Sequence, residues 1–85
     1  MFYLGIDQVA TGARIKSLCK ERGIKAKEIQ ASFGLESTQA VYKWWRGESL
    51  PNLDNFYSLS RSLEIPINDM IVGVKEKEKD ESPSL

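Results

Sequence analysis

The sequence predicts an all-α fold, a compact five-helix bundle around one core. Apolar residues recur at helical spacing in one stretch after another. β-branched residues are scattered, and no strong alternation of apolar and polar residues appears beyond the first few positions. The length, 85 residues, suits one small domain and leaves no room for two.

Residues 1–10, "MFYLGIDQVA", are apolar and short, and read as an arm, a strand or a packed lead-in. The domain proper is expected at 11–73. Its first helix runs from Thr11 or Gly12 to Arg22, with Thr11 as N-cap, Ile15 and Leu18 at core spacing, and Gly23 as the stop. A second helix runs from about Lys25 to Phe33, with Ala26, Ile29 and Phe33 apolar at i, i+3 and i+7. Gly34 and Leu35 follow, and Glu36 or Ser37 opens a third helix through about Arg46, closed by Gly47. Ser37 is the better N-cap, because its hydroxyl can accept from a backbone N–H two or three residues on. Asn52 caps a fourth helix whose apolar face is Leu53, Phe56, Leu59 and Leu63. Pro66 starts a short fifth helix carrying Ile67, Met70 and Ile71. Residues 74–85, "VKEKEKDESPSL", are charged, almost free of apolar side chains, and expected to be a disordered tail. No internal repeat is visible.

Composition narrows the chemistry. The single cysteine, Cys19, allows no internal disulfide, and one cysteine without histidine argues against a zinc site. The absence of histidine also removes the commonest general base, so no enzyme and no cofactor are expected. No run of about 20 apolar residues is present, as a membrane span requires. The N-terminus lacks the basic region and long apolar run of a secretion signal. A cytoplasmic protein without a small-molecule ligand or membrane partner is the expectation.

Zero net charge conceals an asymmetry. Between Gly12 and Gly47, eight basic residues meet only Glu21, Glu28 and Glu36, an excess of about five positive charges. From Glu48 to Ile71 the balance reverses to about −3, with Arg61 against Glu48, Asp54, Glu64 and Asp69. Such a split can draw a polyanion to one end of a neutral molecule, although solvated helix faces produce the same pattern.

The third helix sharpens the first of these readings. Val41, Trp44 and Trp45, with Ala40 beside them, form one face of "STQAVYKWWRG"; Gln39, Tyr42, Lys43 and Arg46 form the other. The second face holds an amide, a phenol, an ammonium and a guanidinium, and no carboxylate. Amides and cations read base edges in the major groove and hold phosphates. Ser37 and Thr38, at the helix start, offer backbone N–H groups to a phosphate. A short helix, a Gly-centred turn and a helix with this face follow the helix-turn-helix plan.

The stretch "RIKSLCKERGIKAKEIQASFGLESTQAVYKWWRGESLPNLDNFYSLSRSLEIPINDMI" resembles the phage-repressor-like (Cro/XRE-type) helix-turn-helix domains along its full length. The resemblance rests on Arg14-Ile15, Gly23, Gly34, "QAVYKW", "RGESLP", the spacing from Leu53 to Leu63, and Ile65 through Met70. It implies the lambda-repressor-like fold, a sequence-specific transcriptional regulator, double-stranded DNA as partner, a recognition helix at about 37–46 in the major groove, and a homodimer. Carried over by position, Thr38, Gln39 and Lys43 would read bases, and Tyr42 would touch a thymine methyl, a sugar or a phosphate. Lys25, Lys27, Ser37, Arg46 and Ser49 would hold phosphates, with Val41, Trp44, Ile29 and Leu35 in the core. The alternative is a protein-interaction module on the same fold, antitoxin-like or otherwise partner-binding, with little DNA affinity.

Three positions depart from the family pattern. Ala26 stands where relatives commonly carry a Gln that touches phosphate and braces the first reader. "GLESTQ" is one residue longer than the usual turn. Cys19 and Trp45 occupy the places of a partly buried Arg–Glu pair, and two packed apolar groups can replace such a pair without loss. Trp45 is therefore expected to pack over Cys19, the alternative being an exposed interface contact. Cys19 itself reads as a small hydrophobe rather than a redox sensor.

Overall fold

The structure is a computed structural model that describes residues 5–74. Five helices follow in chain order: α1 (Gln8–Glu21), α2 (Ala26–Phe33), α3 (Gln39–Arg46), α4 (Leu53–Leu63) and α5 (Ile67–Met70). From position 75 onward the expected tail lies outside the described residues.

The first helix begins earlier than its sequence suggests. Asp7 is the cap, its carboxylate accepting from the Ala10 N–H at 3.0 Å, so α1 starts at Gln8 rather than at Thr11 or Gly12. Thr11 is fully buried inside the helix and serves a different purpose. Its hydroxyl accepts from the Val72 N–H at 2.9 Å and donates to the Val72 carbonyl at 3.4 Å. Around this contact residues 5–7 lie antiparallel to 72–74: the Asp7 N–H donates to the Val72 carbonyl at 2.8 Å, and the Val74 N–H to the Gly5 carbonyl at 2.9 Å. The two ends of the described chain are thereby tied together. Thr11→Val removes the hydroxyl at nearly constant volume and leaves the Val72 N–H without its partner. It should cost about 1–3 kcal/mol, read as a lower urea midpoint at unchanged m-value.

The remaining boundaries follow local chemistry. Lys25 precedes α2 with no side-chain acceptor, and the Glu28 carboxylate instead reaches back to accept from the Lys25 N–H at 2.8 Å. Ser37 accepts from the Gln39 N–H at 3.2 Å, but the cap position is Thr38, already αR and without a side-chain cap, so α3 begins at Gln39 rather than after a Ser37 cap or at Glu36. Asn52 caps α4 as expected, accepting from the Asn55 N–H at 2.8 Å. Leu53, expected on the apolar face of α4, is instead 78% exposed. It occupies the first helical position, where the chain still faces solvent before the helix meets the core.

The core joins Ile15 and Cys19 of α1, Ala26 and Ile29 of α2, Val41 and Trp44 of α3, Phe56, Leu59 and Leu63 of α4, and Met70 of α5. Leu18, Phe33, Leu35 and Trp45 pack against its margin. α1 meets α3 more extensively than any other helix. That packing fixes α3 by its inner face and leaves its outer face to solvent.

Candidate nucleic-acid interface

Val41 and Trp44 anchor α3 from within, three residues apart on one side. Gln39, Tyr42, Lys43 and Arg46 are consequently exposed together on the opposite side, as their spacing predicts. Thr38, at the helix entrance, is half-buried, and Ser37 beside it is exposed. The turn before α3 is held by Gln30, whose side-chain amide donates to the Leu35 carbonyl at 2.8 Å. Gly34 adopts φ +70°, and its N–H returns to the Gln30 carbonyl, which ends α2 and releases the chain toward α3. Lys25 and Lys27, at the start of α2, are exposed. Ser49, beyond α3, is half-buried.

Trp45 links the interior to this outer face. Its indole is half-buried, and its N–H is buried without a hydrogen-bond partner of standard geometry. Burial pushes the Cys19 thiol up, and the nearby Trp45 N–H partly offsets that shift. Trp45 thus packs against the core cluster that contains Cys19. On its other side the indole meets Tyr42 edge to face, with ring centroids 5.5 Å apart and planes at 83°. Tyr42 is therefore an exposed side chain held from behind by a ring that rests on the core.

Beside these two aromatic residues runs a groove of about 460 Å³, whose walls include Lys20, Gly23, Ile24 and Lys25. Ala26, where the family pattern has Gln, is buried at its edge and reaches toward no reader. Lys20 comes from the end of α1 and adds a cation that helix-by-helix reading did not connect with the start of α2.

The outer face differs from its sequence reading in one respect. Within α3 it carries no carboxylate, but Glu48 folds back onto it. Gly47 takes φ +80°, and the Glu48 N–H donates to the Lys43 carbonyl at 2.9 Å, turning the chain back over the last helical turn. The Glu48 carboxylate then accepts from Arg46 Nε at 2.6 Å and from its Nη2 at 3.3 Å. Helical periodicity stops at Gly47 and gives no sign of this return; the glycine that closes the helix is the signal.

A helix pair joined by a glycine turn, with the second helix anchored on one side and bearing polar and cationic groups on the other, is a helix-turn-helix. The helix-turn-helix family model matches residues 15–70. The chain belongs to the Cro/XRE-type helix-turn-helix family. Its fold is also that of a solved structure, the restriction-modification controller protein C.AhdI from Aeromonas hydrophila. The TM-score is 0.66 at 25% sequence identity, over 75% of this chain and 96% of that one. No curated protein matches the sequence. As a Cro/XRE-type protein the chain is a DNA-binding transcription regulator, which favours DNA over the partner-binding alternative. No helix among the described residues is long and apolar enough to cross a membrane.

Proposed function

We propose that this Cro/XRE-type chain is a sequence-specific regulator that lays α3 in the major groove of double-stranded DNA. The reading is carried by the exposed row of Gln39, Tyr42, Lys43 and Arg46 on a helix whose opposite face is locked into the core. Thr38, Gln39, Tyr42 and Lys43 would meet base edges, and Lys25, Lys27, Ser37, Arg46 and Ser49 the phosphates on either side. An amide matches the donor and acceptor edge of adenine, and an ammonium matches the acceptors of guanine. The likeness to a restriction-modification controller supports a role in transcriptional control. The protein acts on cytoplasmic DNA in this reading. One such helix makes too few contacts for tight specific binding, so two copies on a palindromic site are proposed.

The test begins with duplexes selected from a random pool, followed by anisotropy titrations over a range of salt. Affinity should fall steeply as salt rises. Gln39→Ala should lose about 1–3 kcal/mol of discrimination at one base pair. Lys27→Ala should weaken cognate and random duplexes alike and flatten the salt slope by about 0.9. Equal losses on both duplexes for Gln39→Ala would remove it from the base readers. Absence of binding to any duplex at low salt would reject the reading as a whole. Sedimentation of the free protein and of its complex tests the dimer.

A further inference from the structure

Glu48 is an acid placed where neither the fold nor the DNA reading calls for one. It follows the C-terminus of α3, the negative end of the helix dipole, so the helix itself gains nothing from its charge. Its ion pair with Arg46 is open to water, with side-chain exposures of 53% for Arg46 and 51% for Glu48. Pairs this exposed add little to stability. One edge of Arg46 is nonetheless engaged: a carboxylate grips its Nε and one terminal nitrogen in the forked geometry with which a guanidinium would hold a phosphate. The hydrogen bond from Arg46 holds the Glu48 carboxyl below its ordinary value, with a smaller contribution from the Lys43 charge.

We infer that Glu48 is an internal phosphate mimic that occupies Arg46 in the free protein and weakens its grip on DNA of any sequence. This inference rests on the reading of the α3 outer face as the DNA-facing surface. A phosphate can take the Nε edge of Arg46 only by displacing Glu48, and the displaced carboxylate is then left close to a like charge. The backbone makes the competition local, since the Gly47 turn and the Glu48 N–H bond to the Lys43 carbonyl bring residue 48 back beside Arg46. The base contact proposed for Gln39 is untouched by the exchange. Glu48 thus lowers binding to cognate and random duplexes by a similar factor, and the ratio between them is left to the base contacts.

The test uses the full chain and a fluorescein-labelled duplex of random sequence, titrated by anisotropy across salt concentrations. Four proteins are compared: wild type, Glu48→Gln, Arg46→Ala and the double variant. Glu48→Gln should bind the random duplex several-fold more tightly and steepen the salt slope by about 0.9, the signature of one added phosphate contact. In the Arg46→Ala background the same substitution should leave the slope unchanged. Equal steepening with and without Arg46 would overturn the inference, because Glu48 would then act only through general repulsion. An unchanged slope for Glu48→Gln, with wild type binding the duplex in a salt-dependent way, would also overturn it while leaving the DNA reading intact. Failure of all four proteins to bind at low salt would instead reject the DNA reading, and this inference with it.

Discussion

Gly12→Ala should lower the melting temperature by more than about 12 °C, corresponding to a loss of about 3 kcal/mol or more. Helix propensity alone predicts the opposite sign, since alanine in a helix interior is favoured over glycine by roughly 0.5–1 kcal/mol. The difference lies in where the new methyl would go. A Cβ at position 12 would meet the Trp44 carbonyl oxygen at 2.1 Å, the Gly47 nitrogen at 3.0 Å and the Trp45 carbonyl oxygen at 3.1 Å. All three neighbours are backbone atoms of the last turn of α3 and its cap, so no side chain can rotate aside. Relief requires α1 and α3 to separate, and these are the most extensively packed helices in the bundle. The contact is reinforced at its edges: Gln8 donates to the Gly47 carbonyl at 3.0 Å, and a Cβ on Gly47 would meet the Val9 Cα at 2.6 Å. Gly23→Ala provides the comparison. Position 23 has φ +70° but nothing within 4 Å of an added Cβ, so it reports backbone strain without a clash. Its cost should stay near about 1–2 kcal/mol. A Gly12→Ala protein as stable as wild type would show that the two helices are not held at this distance. Thermal unfolding followed by circular dichroism decides between these outcomes.

These contacts also mark how far the sequence alone could be read. The spacing of Ile29, of Val41 with Trp44, and of Phe56, Leu59 and Leu63 identifies the buried side of three helices, because each pattern is confined to one element. Asn52 announces its helix start for a local reason, accepting from an N–H three residues away, whereas Ser37 accepts from the Gln39 N–H one residue ahead of the actual cap, Thr38. Thr11 misleads because a buried hydroxyl that serves Val72, 61 positions along the chain, has the same sequence signature as a cap. Asp7, the true cap, stands in a stretch whose conformation depends on pairing with 72–74. Gly12 looks like a weak helix position until α3 is laid across it. On the outer face of α3, Gln39, Tyr42, Lys43 and Arg46 are legible from periodicity, whereas Glu48 becomes part of that face only through the left-handed turn at Gly47. What escaped is long-range or follows a change of backbone direction, and one-dimensional patterns carry neither.

The adjacent tryptophans should separate sharply on mutation. Trp44 is 4% exposed and belongs to the buried cluster that α3 shares with α1 and α4. Trp44→Ala should therefore cost about 3–5 kcal/mol, the usual range for emptying a large aromatic site. A domain of this size has roughly 0.05–0.15 kcal/mol of stability per residue, so that loss is a large part of the whole. The variant should show weakened near-ultraviolet dichroism, a much lower urea midpoint and no measurable DNA binding, because the inner face that holds α3 in place has gone. Trp44→Phe refills most of the volume and should recover most of both properties. Trp45→Ala is different in kind. The ring is half-buried, its N–H has no full partner, and its outer contact is the edge of Tyr42, an aromatic pair worth about 0.5–1.5 kcal/mol. Its removal should cost less stability than Trp44→Ala and leave the helices assembled. The loss should appear instead in whatever Tyr42 contributes to DNA binding, since that ring would no longer be supported from behind. Matching losses of stability for the two alanine variants would mean that both indoles are core residues of one kind. A folded Trp45→Ala protein that binds DNA as tightly as wild type would take Tyr42 out of the interface. The contrast follows from the pitch of the helix: residues about 100° apart cannot both face the centre of one core, so the first tryptophan anchors α3 and the second braces its outer face.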